Sequence, residues 1–339
     1  MLRIAINGFG RIGRNTLRAG WNQKGLAFVA INDLTEPRVL AHLLKYDSVF
    51  RTWDVPVRAG KDHLLVGGKK IPVFSERDPA KLPWKEHRVD VVVESTGFFT
   101  DVTSAQAHVT AGAGAVVISA PSDDAPTHLM GVNHEKLTSK APVICNASCT
   151  TNSAGPVMAV LDEAFGVKKA MLSTVHSVTS GQNVVDGVPP GRKPDLRRAR
   201  SILGNIIPTS TGAATATAKA LPTLLGKFDG VAIRVPTPDV SLSTFVALLK
   251  RRVTVEDVND AFRKAAKIPR WKGTLAVTDE SLVSSDFIGS PYGAVVDLPM
   301  TRVVDGDLVN VMAWYDNEWG YSHQLILMVR EVGKRVLKT

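Results

Sequence analysis

At 339 residues the chain has room for two ordinary domains, each with its own core. Hydrophobic residues at 44% against 22% charged exclude a disordered chain, and no apolar run approaches the ~18 residues of a membrane span. A formal charge of +9 favours anionic partners, namely phosphorylated metabolites, dinucleotides or nucleic acid, while only two cysteines exclude a disulfide-stapled scaffold.

Leu2–Asn7 is predicted as a buried strand entered at once from the N-terminus. That leaves no room for a signal peptide and makes a cytoplasmic location the expectation. A Gly-rich turn and a helix from Arg11 follow, then an apolar run at 27–32 and helical spacing at 37–45. Residues 89–94, 115–119 and 143–146 are rich in β-branched side chains and continuously apolar, as parallel strands covered on both faces are. Strand and helix in turn predict a doubly wound α/β domain over 1–148. Beyond it the texture changes. Longer strand-like runs lie at 231–235, 241–250 and 308–315, with helical patterns at 211–221, 255–266 and 322–337. They predict an α+β domain over 149–317 with a mostly antiparallel sheet, and a last helix, within 318–339, returning to the first domain. The basic stretch between Ser180 and Pro208 exceeds the ~15 residues beyond which a loop is usually functional or disordered.

Gly8-Phe9-Gly10-Arg11-Ile12-Gly13 is a GxGxxG placed after a strand and opening a helix. Its glycines permit a tight turn, close backbone approach to a pyrophosphate, and close helix–strand packing. Asp33 ends the second strand twenty residues after Gly13, where a ribose-binding carboxylate is expected. Its charge would repel a 2′-phosphate, so the expected cofactor is NAD rather than NADP. The competing reading is packing glycines with a surface aspartate.

Cys145 and Cys149 stand four apart without a CxxC or paired histidines, and a structural zinc site needs four ligands, so no metal is expected. Cys149 is predicted in the first turn of an apolar helix, where free N–H groups and the helix dipole favour thiolate. Ser148 and Thr150 beside it read either as caps or as donors to a phosphate or oxyanion. From these residues alone, nucleophile and structural thiol remain equally open. His176 ends an apolar strand with Thr179 close behind, and reads as a base or as a satisfied strand-end histidine. His42, His63, His87, His108, His128, His134 and His323 read as structural. Arg192, Lys193, Arg197, Arg198 and Arg200 form the densest basic cluster; without interleaved aromatics or a nucleic-acid motif, it places nucleic acid low among the partners.

INGFGRIGR from Ile6, VNHEK from Val132, NASCTTN from Asn146, STGAA from Ser210 and WYDNEWGY from Trp314 resemble glyceraldehyde-3-phosphate dehydrogenase of the homotetrameric kind, over essentially the whole chain. The resemblance implies a Rossmann-type NAD domain and a catalytic domain, with Cys149 as nucleophile and His176 as base. Glyceraldehyde 3-phosphate would be oxidised to a thioester, which inorganic phosphate would then open. The resemblance assigns the substrate phosphate to Thr179 and Arg234 with a charge from Arg198, and the attacking phosphate to Ser148, Thr150, Thr211 and Gly212. It implies NAD contacts at Arg11, Ile12, Asp33, Arg77, Ser119 and Asn317, with Tyr321 near the nicotinamide. The chain departs from the pattern at Gly181, where aspartate or threonine is common, and in a basic loop longer around 188–191. It also departs at Ser153, where a second cysteine is common, and at Cys145, usually serine. Erythrose-4-phosphate dehydrogenase shares NASCTTN but departs from the Thr179 and Thr211-Gly212 pattern kept here.

Overall fold

The computed structural model describes residues 1–189 and 195–337, so Arg192, Lys193 and part of the 188–191 segment lie outside the described residues. The chain divides into two units, Met1–Ser148 with Ser322–Thr339, and Cys149–Tyr321.

In the first unit, chain order runs β1 (Leu2–Asn7), α1 (Arg11–Gly20), β2 (Leu26–Asn32), α2 (Pro37–Lys45), β3 (Val57–Ala59), β4 (His63–Val66) and β5 (Lys69–Phe74). It continues with β6 (Val91–Glu94), α3 (Val102–Thr110), β7 (Ala115–Ile118) and β8 (Val143–Cys145). The sheet order is β3-β4-β5-β2-β1-β6-β7-β8. From β5 to β8 every pairing is parallel, and β3 and β4 extend the edge as an antiparallel meander. The continuous apolar runs follow from this burial: every residue of β6 and β7 is covered. Because β2 and β6 flank β1 on opposite sides, the strand order reverses there. That switch point opens a crevice at the carboxyl ends of β1, β2 and β6.

The second unit holds α4 (Cys149–Phe165), β9 (Val167–His176), β10 (Ile207–Ser210), α5 (Ala213–Ala220), β11 (Phe228–Arg234), β12 (Ser241–Leu249) and α6 (Val255–Lys267). Then come β13 (Leu275–Thr278), β14 (Ala294–Asp297), β15 (Arg302–Val304) and β16 (Leu308–Tyr315). The order is β10-β11-β9-β12-β16-β14-β13, with β15 on β16, and only β11–β9 and β13–β14 are parallel. Alternate residues of β12 and β16 are buried, as a sheet covered by helices on one face requires. Register gathers the chemistry at one end of this sheet. Arg234 pairs with His176, Leu242 with Val175, and Ser241 with Tyr315.

The final helix, α7 (Trp319–Arg335), runs over α1 and β1 of the first unit from Ser322 onward. A Cβ on Gly20 would come within 2.8 Å of Ile326, and one on Gly333 within 2.9 Å of Leu2, so both glycines allow close approach. Arg330 donates to Gln23 Oε1 and to the Lys24 carbonyl, at 3.1 and 2.8 Å.

Candidate active site

The glycines of the β1–α1 turn separate by role. Gly8 has φ +88, and a Cβ there would meet the Thr96 nitrogen at 2.6 Å. A Cβ on Gly13 would meet the Gly8 carbonyl at 2.3 Å, so α1 and the turn lie in direct contact. At Gly10 nothing lies within 4 Å of that position: the backbone there faces open space that a pyrophosphate could fill. The first intrahelical bond of α1 runs from Arg14 N–H to Gly10, and the N-terminal end of such a helix favours an anion. Asp33 accepts from Phe9 N–H at 2.7 Å and Thr35 N–H at 2.9 Å, tying the end of β2 to the turn. These features fit a dinucleotide.

Arg11 and Ile12 open the helix, and the Arg11 guanidinium is held by Asp47 at 2.5 Å and lies over Phe50. Arg77 is exposed after β5, and Ser119 follows β7. Two further residues at this crevice escaped sequence reasoning. Leu34 and Phe98, just beyond β2 and β6, are 53% and 70% exposed, and large apolar side chains at strand ends suit a flat adenine.

In the second unit, Cys149 opens α4 and its sulfur lies 3.5 Å from His176 Nε2. Ala147, two residues earlier, has φ 55, a costly conformation for a residue with a Cβ. The His176 ring is buried, and its edge is packed by Tyr315 at 6.0 Å between centroids. The Tyr315 hydroxyl lies 2.9 Å from Thr150 Oγ1 and 2.7 Å from Thr174 Oγ1, and burial pushes it up to about 12. It therefore remains a neutral hydrogen-bonding post. Tyr315 was missed because the segment around it drew attention to Asn317 and Tyr321; a tyrosine at a buried strand position was the available signal.

Burial raises the Cys149 thiol, against the opposing pull of Arg234 and Thr150. Burial and then Arg234 lower His176 to about 3, against the Ser177 carbonyl. Burial thus works against the charged form of both groups, while Arg234 favours thiolate and disfavours imidazolium. Cys145 is buried and donates to the Ala120 carbonyl, and neither it nor Cys149 forms a disulfide.

Beside the imidazole, Arg234 Nη1 reaches Nδ1 at 2.7 Å, the Ser177 carbonyl at 3.1 Å and Thr179 Oγ1 at 3.4 Å. Arg198 reaches Thr209 Oγ1 at 3.2 Å, and Thr209 donates to Asp195. A Cβ at Gly181 would stand 3.7 Å from both Arg198 Nη1 and Thr179 Oγ1. Arg234, Arg198 and Thr179 thus lie close to one another around Gly181. Thr211 and Gly212 precede α5 at a second place. Ser210 pairs with Val231, three residues before Arg234, so they leave the sheet about 10 Å away along the strand. Gly212 has open space at its Cβ position. Ser148 is half-buried, while the Thr150 hydroxyl faces Tyr315.

Asn317 is 3% exposed, and its Oδ1 accepts from Ser177 Oγ at 2.7 Å and Ser241 Oγ at 2.8 Å. Both serines fix the amide with its NH2 pointing away from them. Val240, just before Ser241, has φ 66 despite its branched side chain, so the chain tolerates strain where it sets that contact. Tyr321 is buried at the start of α7.

Residues 2–102 match the family described as glyceraldehyde 3-phosphate dehydrogenase, NAD binding domain, and 148–317 match the corresponding C-terminal domain. The chain is 50% identical over 328 residues to glyceraldehyde-3-phosphate dehydrogenase 1 of Bacillus cereus, covering 96% of this chain and 97% of that one. It is 49% identical over 338 residues to the Geobacillus stearothermophilus enzyme, with 99% of each covered. A cytosolic relative from Chlamydomonas reinhardtii is 46% identical over 336 residues, 98% of this chain and 97% of its own.

Proposed function

The chain belongs to the glyceraldehyde-3-phosphate dehydrogenase family, and from that premise we propose that it oxidises D-glyceraldehyde 3-phosphate to 1,3-bisphosphoglycerate with NAD and inorganic phosphate. The observation that carries the reading is the Cys149–His176 contact at 3.5 Å beside the Arg234 guanidinium. Its sulfur can attack an aldehyde while the imidazole takes the thiol proton, which leaves a neutral hemithioacetal after reprotonation of the oxygen. His176 then accepts the hydroxyl proton as the C–H bond breaks. Bound NAD supplies the hydride acceptor. The resulting thioester on Cys149 keeps the acyl group activated, and a phosphate oxygen displaces the sulfur, which recovers a proton from His176.

Two anions must be held. Arg234, Thr179 and Arg198 are the donors for the substrate phosphate, and Arg234's planar fork suits its oxygens. Thr211 and Gly212, with Ser148 and Thr150, serve the attacking phosphate; the Thr150 hydroxyl also meets that of Tyr315. Gly8, Gly10, Gly13, Arg11, Ile12, Asp33, Arg77 and Ser119 hold the dinucleotide, and Asn317 presents its NH2 to the nicotinamide amide. We assign the protein to the cytoplasm and to a homotetramer on the family pattern. No helix among the described residues is long and apolar enough to cross a membrane.

NADH formation from glyceraldehyde 3-phosphate and NAD, with and without inorganic phosphate, tests the reading. Sustained turnover with phosphate and a single stoichiometric burst without it are expected. Brisk turnover indifferent to phosphate would mean that water opens the thioester, and would remove Thr211-Gly212 from the phosphate site.

A further inference from the structure

The ends of β1, β2 and β6 carry a row of buried polar side chains. Register sets Asn7 opposite Asn32 on one side and Glu94 on the other, and all three are at most 5% exposed. Asn7 Nδ2 donates to Glu94 Oε2 at 2.5 Å, and Asn32 Nδ2 donates to Asn7 Oδ1 at 2.7 Å. Both ends of the row are anchored. At one end the Glu76 amide donates to Asn32 Oδ1, and Asn32 Nδ2 donates to the Glu76 carbonyl, each at 2.9 Å. Main-chain groups cannot exchange roles, so they fix the Asn32 amide, and Asn32 fixes Asn7 with its nitrogen towards Glu94. At the other end Trp84 Nε1, which can only donate, reaches His108 Nδ1 at 2.9 Å. The His108 proton therefore sits on Nε2 and goes to Glu94 Oε2 at 3.0 Å. Nε2 and Asn7 Nδ2, 3.4 Å apart, thus both point hydrogens at one carboxylate oxygen.

The Glu94 carboxylate is an acceptor throughout. Thr96 adds its amide at 2.8 Å and its hydroxyl, both to Oε1, so four donors converge on a side chain in a residue 2% exposed. An apolar side chain of the same size would fill the space without desolvating a charge. The neighbours of the row give the charge a purpose. Gly8 follows Asn7, Asp33 follows Asn32, and Arg77 follows Glu76, so each cofactor residue at these strand ends adjoins a member of the row. Thr96 itself stands against the turn, where a Cβ on Gly8 would meet its nitrogen at 2.6 Å. We propose that Glu94 is a positioning residue for NAD: as the common acceptor it sets Asn7, Asn32 and Thr96, and through them the Gly8 turn, the Asp33 carboxylate and the Glu76–Arg77 segment. This role rests on the NAD-binding reading of the crevice and deepens it.

The fixed direction of these bonds decides what a substitution does. Glu94→Gln turns one acceptor oxygen into an NH2. Placed where Oε2 stands, the NH2 opposes Asn7 Nδ2 and the His108 Nε2 proton; placed where Oε1 stands, it opposes the Thr96 amide. No flip relieves this, because Asn7 is held by Asn32 and His108 by Trp84. Adding Asn7→Asp supplies an oxygen for the new NH2 and still accepts from Asn32, and the double substitution keeps the net charge of the wild type. Asn7→Asp alone sets two carboxylates face to face.

The test is the NAD affinity of full-length, cofactor-stripped protein by calorimetry, beside its thermal unfolding and its steady-state kinetics. Glu94→Gln should weaken NAD by about 10- to 100-fold, the scale of opposed buried donors. KM for glyceraldehyde 3-phosphate at saturating NAD should stay put, because the donors assigned to that phosphate lie in the second unit. Asn7→Asp alone should also weaken NAD, and the double variant should bind it about tenfold tighter than Glu94→Gln does. A Glu94 that only supports the fold would lower Tm without moving the NAD Kd of folded protein, and the two substitutions together would simply add their losses. Either result overturns the proposal. If Glu94→Gln does not fold, Asn32→Ala decides, since it leaves Glu94 its four donors and cuts only the link to Glu76. NAD weakened about tenfold with KM for the aldehyde unchanged supports the role, and an unchanged NAD Kd overturns it. Wild-type protein that binds NAD but gives no NADH burst from glyceraldehyde 3-phosphate would remove the dehydrogenase reading, and the NAD affinities would still decide the role of Glu94.

Discussion

Replacing Asp239 with asparagine should make the protein more stable at alkaline pH. Asp239 is 2% exposed, and the Val240 amide bears on its buried carboxyl. The group it faces is a second buried carboxyl, Asp316, which accepts from the Glu318, Trp319 and Gly289 amides at 3.0, 2.6 and 2.8 Å and so caps α7. Burial, then the charges of Asp316 and Glu318, push Asp239 up to about 9. The proton it keeps is the donor that Asp316 otherwise lacks on that side. In the unfolded chain Asp239 titrates near ~3.9, so from there up to about 9 the folded state holds one proton more. Its contribution is whole below the unfolded-state value and is lost progressively as pH rises towards the folded one. One proton corresponds to ~1.4 kcal/mol per pH unit, hence a loss on the order of a few kcal/mol between pH 6 and pH 8. In the Asp239→Asn variant the side-chain amide can donate an N–H to Asp316 with no titration, which removes the slope. Urea unfolding of both proteins at a series of pH values measures the divergence. Parallel pH dependences would show that Asp239 is ionised in the folded state and that the shared-proton reasoning is wrong.

Two further substitutions probe the binding groups. Asp33→Ala removes a carboxylate engaged by Phe9 and Thr35 amides. We expect NAD kcat/KM to fall by about 10- to 100-fold, the scale of a charged hydrogen bond, and the NAD-to-NADP ratio to fall with it; an unchanged ratio removes Asp33 from the ribose site. Gly181→Asp would place a carboxylate next to Arg198 Nη1, 3.7 Å from the Cβ position. It should raise KM for glyceraldehyde 3-phosphate about tenfold without slowing oxidation of unphosphorylated glyceraldehyde, whereas Gly181→Ala should change little because 3.7 Å is ordinary contact. Equal KM changes for the two aldehydes would place position 181 outside the phosphate site.

The first unit was legible because its chemistry is local. Buried parallel strands advertise themselves as apolar runs, and the turn glycines lie within six residues of one another, from Gly8 to Gly13. The short strands β3, β4 and β5 were not foreseen: three to six residues of mixed polarity carry little periodic signal. In the second unit the helix-opening position of Cys149 could be read, and His176 stood out among eight histidines, but residues alone left it either a base or a satisfied strand-end histidine. Resemblance gave His176 the role of base. The physical reason lies in register: His176 meets Arg234 through a parallel pairing across 58 residues of chain, and no local pattern encodes that.

The same reason explains why Ser177, Ser241 and Tyr315 went unread. Each is an ordinary residue whose role comes from the strand end it occupies. Ser177 supplies a carbonyl to His176 and a hydroxyl to Asn317, so one residue orients both the base and the amide proposed to hold nicotinamide. Ser241 repeats the second contact from β12, immediately after the strained Val240. A fold that tolerates positive φ at Ala147 and Val240 spends local stability on residues next to the nucleophile and next to the Asn317 support. Positive φ also occurs at Arg51, Arg88 and Asp305, but at Ala147 and Val240 it sits within two residues of a side chain the site uses.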